Sequence, residues 1–167
     1  PGVRSTDFAP GASRPVIRGL SGPRVQVLTN GIGLIDASSV SPDHAVATDP
    51  AEANRIEIIR GPATLVYGGS AIGGVVNVLD DRIPTAIPED GIDGVVSAQA
   101  SSVDDGRGGF ARVTAGAGNF AFNVDAVKRK TDDYEIPAPA ISARLAAAEG
   151  IARGDGGKQP NSYTDLE

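Results

Sequence analysis

The run RIEIIRGPATLVYGGSAIGGVVNVL, residues 55–79, decides how this chain folds. Its first four residues, Arg55-Ile56-Glu57-Ile58, alternate charged and apolar side chains, the period of a strand with one buried face, and Gly61-Pro62 ends the strand. Residues 63–67 suit one helical turn. Gly68-Gly69 and Gly73-Gly74 then bracket Ser70-Ala71-Ile72. Two glycine pairs so close together imply backbone pressed against another surface, or positive φ angles, because a Cβ there would clash. VVNVL (75–79) is a short strand, apolar enough to be buried.

Upstream, residues 15–32 carry Ile17, Val25 and Val27 around Gly19, Gly22 and Pro23, and close on Asn30-Gly31. This predicts two short strands about a glycine turn, with Asn-Gly making a tight turn or hairpin. Residues 36–49, rich in Ser, Asp and Pro, read as loop and hold the single histidine, His44, beside Asp43. Asp49-Pro50 has the form of a capped short helix leading into the strand at 55.

Downstream, residues 80–93 combine acids with proline and glycine and read as a boundary. Longer alternating strands come next at 95–103, 109–117 and 120–130, separated by turns at Asp104-Asp105-Gly106 and Gly118-Asn119. Val96, Ala98 and Ala100 fall on one face, with Ser97, Gln99 and Ser101 on the other. Phe120, Phe122, Val124 and Ala126 likewise alternate with Ala121, Asn123, Asp125 and Val127. Roughly nine to eleven such residues span an outer membrane as a tilted strand. An ordinary antiparallel sheet with one solvated face gives the same alternation. A Pro-, Gly- and Ala-rich stretch at 131–162 reads as a long loop with a short helix near 143–152. Lys128-Arg129-Lys130 reads as an interfacial strand end, or as a contact for anionic lipopolysaccharide.

Composition narrows the function classes. Fifteen basic against 21 acidic side chains give 167 residues a net charge of −6, which argues against a nucleic-acid partner. With 22 glycines and 12 prolines, turns and strands are expected over helices. The lack of cysteine removes disulfides and thiolate metal sites, leaving His and carboxylates as ligands. The lack of methionine leads us to expect a chain that begins after processing or is cut from something larger. No run reaches the roughly 20 apolar residues of a spanning helix, so a membrane role would use strands. The glycine pairs fit neither a dinucleotide fingerprint nor a P-loop, and Asp36, Ser41, Asp43 and His44 lie too close on one loop to define a catalytic triad. An enzyme is the least supported class.

The words IRG (17–19), RVQVLTNGI (24–32), RIEIIRGP (55–62) and LVYGGSAIGGVVNVL (65–79) occur in that order. Together they resemble the plug domain of TonB-dependent outer-membrane receptors, over residues 1–83, and the segment downstream of the plug is similar to the first barrel strands of the same family. The resemblance implies an α+β fold: a small mixed-sheet plug (1–83), a linker (84–93), then the first antiparallel strands of a transmembrane β-barrel (94–167) with a long outer loop. It implies a plugged barrel of roughly 22 strands in the outer membrane. It also implies uptake driven by the TonB–ExbB–ExbD complex through a box absent from this piece, and contact with lipid and lipopolysaccharide. No permanently bound cofactor and no catalytic step are expected.

Two sets of residues are nominated. In the resembled family, arginines of the IRG and RGP words pair with barrel glutamates and hold the plug, which points to Arg18 and Arg60. The SPDHA word (41–45) resembles the zinc-uptake branch, in which an Asp-His pair contributes to the metal site, and this points to Asp43 and His44 as ligands. Zinc takes about four ligands, or three and a water, so further donors would come from elsewhere. The expected cargo is a scarce metal ion, zinc first, with a ferric siderophore as the alternative. A soluble or surface β-rich binding module is the alternative of another class.

Overall fold

Residues 2–6, 8–9, 11–152, 157–159 and 165–166 are described by the structure, a computed structural model. Val3–Ser5 (β1) pairs antiparallel with Pro15–Ile17 (β2) in a two-stranded sheet. A 3-10 turn at Gly22–Arg24 leads into Val25–Thr29 (β3), and Asn30-Gly31 joins it to Ile32–Gly33 (β4). Both turn residues have positive φ, 52° and 81°, as a two-residue hairpin with primed-turn geometry requires. Arg55–Ile59 (β5) and Gly74–Leu79 (β6) complete a sheet of order β4-β3-β6-β5, parallel between β3 and β6 and antiparallel elsewhere.

Strand β6 lies between two partners and is covered on both faces, which is why its sequence is almost continuously apolar. Ile17, Val25, Val76 and Val78 form the core on one side, and Leu28, Ala71 and Val75 the core on the other. Asn77 breaks the apolar run. It is 7% exposed, accepts from the Gly31 amide at 2.9 Å and donates to Glu57 Oε2 at 3.3 Å, so its amide is satisfied within the fold. The glycine pairs divide by cause. At Gly73 a Cβ would come within 2.8 Å of the Arg24 carbonyl, and at Gly74 within 2.6 Å of Ile17 Cδ1, whereas Gly68 needs its φ of 94°. Gly69 has open space around it, so the close-approach reading does not extend to that position.

The second sheet holds Ile92–Ala100 (β7), Arg107–Ala117 (β8) and Phe120–Lys130 (β9), in register from Ile92↔Ala115 and Ala117↔Phe120 onward. Strand β7 starts inside the segment read as a linker and ends before Ser101, not at 103. The turn takes over there because Ser101 N–H bonds the Gly106 carbonyl at 2.8 Å and buried Asp104 accepts from the Gly106 amide at 3.3 Å. Tyr134–Ile136 (β10) pairs with Gly157–Gln159 (β11), and between them Ala143–Glu149 (α1) is capped by the Ser142 hydroxyl and ended by left-handed Gly150. Asp165–Leu166 (β12) adds to the far side of β9. The rest of the expected long loop, at 153–156 and 160–164, lies outside the described residues.

Candidate functional site

Cross-strand partners share a face, so the register of β7–β9 sorts their side chains into two sets. One set contains Thr114, Arg112 and Phe110 of β8 with Asn123, Asp125, Val127 and Arg129 of β9. These residues are half-buried, or buried in the case of Phe110, and they face the first sheet. The other set contains Ile92 and Val96, then Val113, then Phe120, Phe122 and Val124, and all of these are exposed. Exposure reaches 82% at Val96 and 72% at Val124. From Phe120 to Ala126 the sheet is therefore inverted relative to a water-soluble one, with Arg112 and Asp125 turned toward the protein and the apolar row pointing away; beyond Ala126 the outward row carries Arg107, Lys128 and Lys130. A contiguous apolar surface of this kind marks contact with a partner or with lipid.

The seam between the two sheets is ionic. Arg129 donates to both carboxylate oxygens of Asp49 at 2.5 Å, with Asp49 only 6% exposed. Arg112 donates to Asp81 Oδ2 at 3.0 Å and lies 5.9 Å from the Phe110 ring centre. Asn123 donates to the carbonyls of Asp81 and Arg82 at 2.7 and 3.0 Å. Arg82 bonds Glu52 and sits 3.8 Å from Asp125. Burial raises the Glu52 carboxyl above its ordinary value; Arg82 opposes this, and the neighbouring carboxylates Asp125, Asp49 and Asp80 reinforce it. Beside these contacts lies a gap of about 1230 Å³, bordered by Ile56, Ile58 and Val78 on one side and Gln99, Gly108 and Arg129 on the other. The two sheets thus meet through charged groups and open space, and do not close into one sealed apolar core.

Asp49 has two tasks. One carboxylate oxygen accepts from the Ala51 amide at 2.9 Å, capping the 3-10 turn Pro50–Glu52 as the sequence predicts, while the carboxylate also binds Arg129. The pairing with Arg129 was not legible beforehand. Its only signal is parity: in Lys128-Arg129-Lys130 the middle residue must point opposite to its neighbours.

Asp43 and His44, nominated as metal ligands, are hydrogen-bonded to each other. Asp43 Oδ1 meets His44 Nδ1 at 2.9 Å and also takes the Ser41 hydroxyl, and both side chains of the pair are about half exposed, at 51% and 56%. Those two bonds, Ser41 first, hold the Asp43 carboxyl below its ordinary value. Among the described residues no group of three or more His, Cys, Asp or Glu is arranged to hold a metal. The loop is organised by Asp36, which sequence reasoning left unassigned. Its carboxylate accepts from Ser38 Oγ at 2.5 Å and the Ala47 amide at 3.0 Å. Burial pushes Asp36 upward, but these bonds outweigh it and leave the group below its usual range. Downstream, Thr48 hydroxyl meets Thr29 hydroxyl at 3.0 Å, tying the loop to the end of β3.

Arg18 and Arg60 are exposed at the ends of β2 and β5, as the IRG and RGP words suggest. Arg18 has a φ of 52°, and its amide donates to the Gly2 carbonyl at 2.8 Å. The ionic seam between the sheets is formed by three other arginines, at 82, 112 and 129.

Comparison with known proteins places this geometry. Residues 1–75 match the family model described as TonB-dependent Receptor Plug Domain. The siderophore receptor PirA from Pseudomonas aeruginosa is similar in structure at 30% identity and a TM-score of 0.50, over 79% of this chain and 23% of that one. Two mutant forms of the ferric enterobactin receptor from Pseudomonas aeruginosa, in complex with enterobactin, share the fold at 21% identity with TM-scores of 0.55 and 0.57, each over 81% of this chain. The chain spans less than a quarter of these solved structures, 22% and 23%. The comparisons lend no support to a zinc-uptake branch; the solved structures they bring forward are siderophore receptors. Residues 1–75 thus match the TonB-dependent receptor plug domain, within a chain similar in fold to solved siderophore receptors.

Proposed function

We propose that this chain is the plug and the opening barrel strands of an outer-membrane receptor that takes up a ferric siderophore with energy from the TonB–ExbB–ExbD complex. The observation that carries the reading is the inverted second sheet, whose exposed face runs from Phe120 and Phe122 through Val124 and Ala126 while Asp125 and Arg129 turn toward the plug. A strand pair closed into a barrel in lipid needs this polarity, because hydrocarbon covers the outer face and the lumen is polar. Strands of 9, 11 and 11 residues have the required length.

The seam supports the same mechanism. A plug that must be pulled aside cannot be glued to its wall by a dry apolar interface. Ion pairs such as Arg129–Asp49 and Arg112–Asp81 can exchange their partners for water during the movement. In this reading Arg18 and Arg60 reach further wall carboxylates beyond this chain. The loop bearing Asp43 and His44 lies near the 101–106 end of the strands, since Asp49 on it binds Arg129. With the two-residue Gly118-Asn119 turn taken as periplasmic, that end is extracellular, where cargo arrives. Asp43 and His44 then serve as polar contacts for an incoming ferric chelate. The domain limits of plug 1–83, linker 84–93 and barrel 94–167 belong to this proposal.

The deciding experiment is growth of a deletion strain complemented with the full-length receptor. Under iron limitation with ferric enterobactin as the only iron source, complementation should restore growth, and growth on limiting zinc should be unaffected. Restoration of zinc-limited growth alone would return the assignment to a free metal ion.

A further inference from the structure

The segment that leaves the first sheet is held by both sheets at once. Asp80 exchanges two bonds with Asn30, donating its amide to Asn30 Oδ1 at 3.1 Å and accepting from Asn30 Nδ2 at 2.8 Å. One residue later the contacts change sides. Asp81 Oδ1 accepts from Asn54 of the first sheet's side at 3.3 Å, while its Oδ2 takes Arg112 of β8 and the carbonyls of Asp81 and Arg82 both accept from Asn123 of β9. Arg112 is only 14% exposed, and Asn123 stands opposite Thr114, two residues along β8 on the same inward face. Asn123 grips backbone, so its hold does not depend on the side chains at 81 and 82, and as a neutral donor it is not weakened by salt as an ion pair is.

Beyond this point residues 83–91 fold back on β8. Ile87 lies over Gly116, where a Cβ would come within 3.1 Å of Ile87 Cγ2, and the Gly116 amide donates to the Gly91 carbonyl at 2.9 Å. Extended, these residues would reach roughly 30 Å. They join points on β8 only about 10 Å apart, from Arg112 to Ala115, which pairs with Ile92. A plug tethered by peptide bonds alone could therefore shift by about 20 Å before the wall restrained it.

We propose that Asn123 and Arg112 form a clasp that fixes the plug's exit at residues 81–82 and keeps this slack folded against the wall. The plug then opens by swinging about that point and does not withdraw along the lumen. The Arg129–Asp49 pair, six residues further along β9, lies on the swinging side. Both clasp residues are positioning residues, with no contact to cargo required. The inference rests on the reading of β7–β9 as barrel wall and adds the pivot about which the plug moves.

The test is hydrogen exchange of the full-length receptor in phosphatidylcholine vesicles over a series of urea concentrations. Where urea exposes the β6 amides but β7–β9 remain protected, the wild-type Arg82 and Gly91 amides, bonded at 3.1 and 2.9 Å, should exchange roughly tenfold more slowly than β6 or slower. In the double variant Arg112→Gln, Asn123→Ala they should exchange together with β6, with β7–β9 unchanged. Asp81→Ala, which leaves both carbonyls to Asn123, should keep most of the protection. Exchange of 82–91 at the β6 rate in the wild type overturns the clasp, an arm that needs no variant to fold. Wild-type protection in the double variant overturns the assignment to these side chains, and loss in Asp81→Ala as complete as in the double variant overturns the role of Asn123. Loss of β7–β9 protection together with β6 in the wild type would overturn the wall reading itself, a result distinct from failure of the clasp.

Discussion

The two four-stranded sheets of this protein solve the same packing problem in opposite ways. In the first, β6 puts Val75 and Val76 on opposite faces and buries both, and Leu28 of β3 is 1% exposed, so the interior is apolar and closed. In the second, β9 turns Asn123, Asp125 and Arg129 toward the protein and leaves Phe122 and Val124 outside at 68% and 72% exposure. Water drives the first arrangement. The second leaves an apolar row exposed, the polarity expected of the proposed lipid-facing wall. The difference teaches that the direction of an alternating pattern carries the function, since the alternation itself is common to both kinds of sheet.

The contrast between the sheets breaks most sharply at the cores. Leu28→Ala should cost the plug about 2–5 kcal/mol through lost transfer energy and a cavity, read as faster hydrogen exchange of β3 and β6 amides in the full-length protein with barrel assembly unchanged. Val124→Arg addresses the other sheet. On a lipid face it should cost about 2–4 kcal/mol near mid-membrane and impair assembly, measured by heat-modifiable gel mobility. If the face were merely solvated, the same change would alter stability by less than about 0.5 kcal/mol.

The seam is expected to respond less. Asp49→Asn keeps the turn cap at Ala51 but removes the charge facing Arg129. It should cost about 1–3 kcal/mol, localised as faster exchange at residues 47–53, and it should leave β7–β9 protected. Protection unchanged at 47–53 would mean that the Arg129 contact does not hold the plug.

The smallest effect concerns protons. Glu52 has a raised pKa in the folded protein, so the folded state binds more protons than the unfolded chain between the ordinary glutamate value and the raised one. Through that window stability should rise as pH falls, the reverse of the usual paired carboxylate. Glu52→Gln should flatten this dependence in a urea titration of the plug at several pH values. Because Asp36 and Asp43, held below their ordinary values, contribute the opposite slope, the readout is the difference between the two proteins: identical pH dependence in wild type and Glu52→Gln would show that Glu52 is not raised.

Much of the fold was legible because local rules are strong where they apply. Asn30-Gly31 had to turn, Asp49-Pro50 had to cap, Gly73 and Gly74 had to sit against backbone or side chain, and the parity of 120–127 had to split into apolar and polar rows. Of the candidate loop, only the adjacency of Asp43 and His44 was in the sequence; the role of Asp36 in organising it was not. Strand limits were less so: the turn at 101–106 is fixed by Asp104, whose carboxylate reaches the Gly106 amide only when buried there.

By itself, the sequence determined the central strands of both sheets, the apolar face of the long ones and the likeness to a plug, because these depend on side chains close together along the chain; the short strands β1, β10, β11 and β12, paired only across distance, were not in it. It could not determine whether the apolar row looks inward or outward. That depends on which face the first sheet meets, and charges brought from 49, 52, 81 and 82 to 112, 125 and 129 decide it. Long-range ion pairs leave no periodic trace in a sequence, so tertiary structure alone showed that the polar side is the one turned toward the plug.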